Sequence, residues 1–125
     1  MRTATVVAGE LRWLSPLPLW TGILAGPIAW ALDLGVSYAL VKWTCSSQRH
    51  LLMHLISPAC LALVAGGAAV SWWALRRTAG QPATDAGDPL ARARFMAMLG
   101  LTSSALFALT IAAGAIPRWM LDACQ

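Results

Sequence analysis

Residues Phe95–Ile116 read FMAMLGLTSSALFALTIAAGAI, 22 residues without one ionisable side chain. As a helix rising about 1.5 Å per residue the run reaches about 33 Å, enough to cross a hydrocarbon core of about 30 Å. It shows none of the period-two alternation of a membrane strand. Two more runs lie upstream. Leu51–Leu75 carries only His54 and Cys60 as ionisable groups, and Leu17–Val41 has Asp33 as its single formal charge. The expected fold is therefore an all-α membrane protein, one membrane domain over residues 1–125. Its three transmembrane helices fall at about 17–41, 51–75 and 95–116.

Composition agrees. Of 125 residues 58% are hydrophobic and 11% charged, whereas soluble domains carry about 25% charged residues; mean hydropathy is +0.64. The first apolar run is too long for the core of a signal peptide and lacks a clean cleavage site, so it reads as a retained span. Trp13, Trp20, Trp43, Trp72, Trp73 and Trp119 flank the runs as an interfacial aromatic belt, and Trp30 alone falls mid-membrane.

The net charge of +4 does not point to nucleic acid, because no basic stripe alternates with aromatics. Its layout speaks of topology and anionic lipid instead. Arg2, Arg12, Arg76, Arg77, Arg92 and Arg94 precede the first span or lie between the second and third; Lys42, Arg49 and Arg118 occupy the opposite side. Six against three places the N-terminus and the 76–94 linker in the cytoplasm and the C-terminus in the periplasm of a bacterial inner (plasma) membrane. The linker, rich in Gly, Pro and Asp, reads as a mobile connection, with Asp88 capping a helix that begins at Pro89.

That topology brings Cys45 and Cys124 to the oxidising side, where an even pair is a disulfide candidate. Both remaining reduced, or either bonding a partner subunit, are the alternatives. Cys60, inside the second span, reads as a packing residue.

Helices in lipid associate through close contact of small residues. Gly22 and Gly26 supply it on the first span. On the third, Gly100, Ser104, Ala108 and Ala112 form a stripe at four-residue spacing. Pro27 and Pro58 fall inside spans, where each frees the carbonyl four residues earlier, on Ile23 and His54, and kinks the helix.

An ionised Asp33 in the outer half of the first span must be paired, buried against protein or protonated. Ser37 shares its face, Ser57 and Thr110 lie at similar depth, and His54 is nearer the surface. The expectation is an intramembrane polar cluster of Asp33, Ser37, His54, Ser57 and Thr110. It serves either as an interhelical contact or as a proton relay or quinone contact. His50 and His54 are spaced for one metal but lack a third ligand, and the other spans lack a facing histidine for haem. With no phosphate loop, nucleophile elbow or carboxylate pair, no catalytic residue, metal or cofactor is expected.

The stretch Gly22–Cys45, GILAGPIAWALDLGVSYALVKWTC, resembles a group of small bacterial membrane proteins from the gene surroundings of haem-copper cytochrome oxidases. The likeness rests on Gly26-Pro27-Ile28-Ala29-Trp30, on Ser37-Tyr38-Ala39-Leu40-Val41 and on Trp43-Thr44-Cys45. A proline and a late cysteine, Pro117 and Cys124, follow the last span as in that group. Lys42 departs from it, standing where the group has an apolar residue or Pro. The resemblance implies a non-catalytic accessory or assembly subunit of a respiratory membrane complex, with larger integral membrane subunits and lipid as partners. The other readings are a small transporter or proton-conducting element using Asp33, and a thiol-redox membrane protein using Cys45 and Cys124.

Overall fold

A computed structural model describes residues 16–47, 51–82 and 87–121. They form three helices, α1 (Pro16–Ser47), α2 (Leu51–Thr78) and α3 (Pro89–Met120). All three are long and apolar enough to cross a membrane, the architecture of a multi-pass membrane protein. Trp13, Arg2, Arg12, Arg49, His50 and Cys124 lie outside the described residues.

Each helix outruns its apolar stretch. At 32, 28 and 32 residues they measure about 48, 42 and 48 Å. Backbone hydrogen bonding does not stop where hydropathy falls; it continues until a cap or a turn residue ends it. At the start of α3 the cap is Asp88, whose Oδ1 accepts from Leu90 N at 3.2 Å with Pro89 next in line. Gly80, at φ +97°, makes the turn after α2, a conformation that costs glycine nothing. The connection expected over 76–94 is thus residues 79–88. Arg76 and Arg77 belong to the last turn of α2, where a cation suits the helix dipole. There they stack on Trp72 and Trp73 one turn back, 5.1 and 3.9 Å from the ring centroids. Arg94 reaches across from α3 to donate to the carbonyls of Thr78 and Gln81, closing the α2–α3 turn.

All three helices pack on one another, up, down and up. The buried positions of α2 are Ser57, Cys60, Val64, Gly67, Ser71 and Thr78; those of α3 are Ala93, Ala97, Gly100, Ser104 and Ile111. These stand three, four or seven residues apart, the spacing of left-handed helix packing. From the Arg-rich end the interior begins with Leu19 against Ala93 and Ala97. A waist follows, where Ser71 Oγ sits against both Gly22 and Gly100. A Cβ on Gly67 would come 2.6 Å from that of Ala25. Next is a cluster of Ala29, Cys60, Val64 and Ile111, with Ala108 half-buried beside it.

Gly22, Gly26, Gly100 and Ser104 therefore all face inward, and the packing they serve is internal to the bundle. Ala112 faces outward. Four residues turn a helix by about 400°, so a strict four-residue stripe drifts off any straight seam, and by Ala112 it has left the interior. Pro27 frees the Ile23 carbonyl as expected, and Ser103 Oγ of α3 donates to that oxygen at 3.4 Å. A neighbouring helix thus satisfies the group the proline released.

Candidate functional site

One layer beyond the apolar cluster the three helices contribute to a polar knot. Asp33 and Ser37 lie one turn apart on α1, Ser57 sits on α2, and all three are buried. The fourth member is Arg118, near the end of α3. In a helix the Cα–Cβ bond tilts toward the N-terminus, so the long side chain of Arg118 runs back into the bundle past Gly114. A Cβ built on that glycine would be 3.9 Å from Arg118 Nη2.

Arg118 Nη2 pairs with Asp33 Oδ2 at 2.7 Å. Nη1 donates toward Asp33 Oδ1 at 3.3 Å, Ser37 Oγ at 2.9 Å and Ser57 Oγ at 3.0 Å. Ser57 Oγ in turn donates to Asp33 Oδ1 at 3.0 Å. Both carboxylate oxygens are engaged, and the fork of the guanidinium meets them side by side, the strong form of the contact. Charges of opposite sign cancel where a lone one would be costly. The Asp33 side chain is 2% exposed and that of Arg118 23%, so the acid is sealed in and the base reaches toward the surface. Such a knot can hold three helices in fixed rotation.

Of the five residues expected in the cluster, the structure brings Asp33, Ser37 and Ser57 together. His54 is exposed, its ring edge-on to Trp119 with centroids 6.1 Å apart. Thr110 also faces outward and donates to the Leu106 carbonyl of its own helix at 2.9 Å. Arg118 stands where the sequence showed only a charge beyond the last apolar residue; its signal is a helix that continues past that point. Among the described residues no group of three potential metal ligands assembles.

Cys45 lies half-buried on the last turns of α1. Its expected partner Cys124 falls outside the described residues. Cys60 is a buried free thiol in the apolar cluster next to the knot. No protein family, no curated protein and no solved structure matches this chain.

Proposed function

We propose that this chain is a non-catalytic accessory or assembly subunit of a bacterial membrane complex, a respiratory one of the haem-copper oxidase type. The observation that carries the reading is the outer face of α2. Ala59, Ala62, Gly66 and Ala69 are all exposed and recur at steps of three, four and three, diametrically opposite the seam that α2 packs inward. Among the described residues nothing lies within 4 Å of where a Cβ on Gly66 would stand. Lipid makes no demand for small side chains, whereas close approach of another helix does. The resemblance of Gly22–Cys45 to small proteins encoded near cytochrome oxidases supplies the kind of complex. The engagement of both Asp33 oxygens by Arg118 and Ser57 weighs against Asp33 as a proton carrier.

Mild-detergent purification from the native membrane, read by mass spectrometry, tests this directly. Larger integral membrane partners should stay bound at fixed stoichiometry. Gly66→Leu should release them, while Gly35→Leu on an open position of α1 should not. Asp33-dependent proton uptake by proteoliposomes of the isolated chain, with no partner retained, would overturn the proposal in favour of a conducting element.

A further inference from the structure

The two ends of α3 are held differently. Its start is capped by Asp88, and Ala93 and Ala97 are buried within the first three turns. At its end Ile116, Pro117, Trp119, Met120 and Leu121 are all exposed, and Arg118 alone turns inward. Burial therefore contributes little to this last turn. Among the described residues its side-chain ties are an edge contact of Trp119 with the His54 ring and the contacts of Arg118 with Asp33, Ser37 and Ser57. The helix is also weakened here. Pro117 has no N–H to give the Ala113 carbonyl, and Gly114, one turn before Arg118, is a poor helix former. A turn further in, Ile111 is buried in the apolar cluster. The segment that holds the basic partner of Asp33 is thus the least anchored part of α3.

We infer that the end of α3 is a latch over the polar knot. It unwinds from Gly114 onward, withdraws Arg118 and opens Asp33, Ser37 and Ser57 to that end of the bundle, while α3 up to Ile111 stays packed. Segments with few buried contacts open locally, well below the cost of parting the whole structure. Were α3 rigid to its end, Asp33 could be uncovered only by pulling Ala93, Ala97, Gly100, Ser104 and Ile111 out of the interior. The local route leaves all five in place. It breaks the ion pair, but the guanidinium is already 23% exposed and has a short way to water. A Cys45–Cys124 bond would hold the chain six residues beyond Arg118 and so would not itself clamp this turn. The open state presents a carboxylate and two hydroxyls that the closed state conceals, and it releases the tie between the rotations of the three helices.

The test uses the full chain in phosphatidylcholine nanodiscs, treated with a water-soluble carbodiimide and an amine. Peptide mass spectrometry follows the rate at which the Asp33 carboxyl is amidated, which requires the reagent to reach a side chain that is 2% exposed when closed. Gly114→Ala should slow that rate about fivefold, the worth of one such exchange inside a helix. The added methyl stands 3.9 Å from Arg118 Nη2, an ordinary contact that leaves the knot intact. Pro117→Ala, which restores the donor to the Ala113 carbonyl, should slow it at least as much. Gly66→Ala gives α2 the same gain in helix propensity away from the latch and should leave the rate unchanged. Amidation that Gly114→Ala does not slow, or that Gly66→Ala slows equally, would overturn the latch and leave separation of intact helices as the route. Wild-type protein in which Asp33 reacts only on global unfolding would overturn it as well. Far-ultraviolet circular dichroism checks that each variant is folded, and if Pro117→Ala is not, Gly114→Ala against Gly66→Ala decides.

Discussion

Removing Arg118 should destabilise the bundle more than neutralising Asp33, and the two changes should be strongly coupled. In a soluble protein, deleting one partner of a buried ion pair costs about 3–5 kcal/mol because the other is left uncompensated. Here the reference state differs. Separated helices remain in the membrane, so Asp33 stays in an apolar setting on both sides of the equilibrium, and polar contacts between membrane helices are worth about 0.6–2 kcal/mol. Between these limits Arg118→Met should cost about 2–3 kcal/mol, since a carboxylate 2% exposed keeps, among the described residues, only Ser57 as a side-chain donor. Asp33→Asn should cost about 1 kcal/mol. The amide oxygen still accepts from Arg118, and a guanidinium already 23% exposed can turn outward to water. In the double variant neither charge is stranded, so its cost should fall about 2 kcal/mol short of the sum of the singles. The assay is reversible unfolding in mixed micelles on raising the fraction of denaturing detergent, followed by circular dichroism, for the four members of the cycle. A coupling below about 0.5 kcal/mol, the ordinary error of additivity, would refute the reasoning. So would Asp33→Asn proving the more damaging single change.

The waist makes a sharper prediction from adjacent residues. Gly67→Ala would set its methyl 2.6 Å from the Ala25 Cβ, a contact no rotation relieves, and should cost about 1–3 kcal/mol in the same assay. Gly66→Ala, facing outward, should gain a few tenths to about 1 kcal/mol from helix propensity. Thiol counting by maleimide mass tags under non-reducing, denaturing conditions should find one reactive cysteine, Cys60, and two more after reduction, as a Cys45–Cys124 bond requires; three reactive cysteines before reduction would exclude it. In intact cells carrying otherwise cysteine-free protein, Ser46→Cys should react with a membrane-impermeant maleimide, and Gln81→Cys only after the inner membrane is opened. The reverse pattern would invert the topology read from the arginines.

Much of the fold is legible in the sequence because the bilayer asks so simple a question of it. A segment with no ionisable group over 22 residues (Phe95–Ile116) can satisfy its backbone in lipid only as a helix. Asp88-Pro89 announces the start of α3 by a local mechanism, and the structure uses it as written. Helix ends are less legible. Hydropathy marks where a helix leaves lipid, whereas hydrogen bonding decides where it stops, and Val41 differs from Ser47 for that reason. The polar site is half legible. Asp33 and Ser37 declare a shared face through their four-residue spacing. Depth along the helix points to Ser57, but it points equally to Thr110, which faces away.

Depth fixes height along a helix and says nothing of rotation about its axis; rotation is carried by the seven-residue phase of the interior. On α2 the buried residues Ser57, Val64, Ser71 and Thr78 stand seven apart, and on α3 so do Ala97, Ser104 and Ile111. Two heptad steps therefore link the buried α3 residue Ser104 to position 118. Each step returns within about 20° of the same face, so Arg118 arrives on the seam while Thr110, one residue before Ile111, stands about 100° off it. A basic residue beyond the last apolar one usually marks topology and faces headgroups. Arg118 departs from this because its phase aims it inward and its stem leans back along the helix. The only acid within the three spans then lies in its path. The pair is thus a consequence of packing register, and it ties the rotation of α3 to that of α1 and α2. Such coupling gives a slender three-helix bundle one defined outer surface to present, including the small-residue face of α2 on which the subunit reading rests.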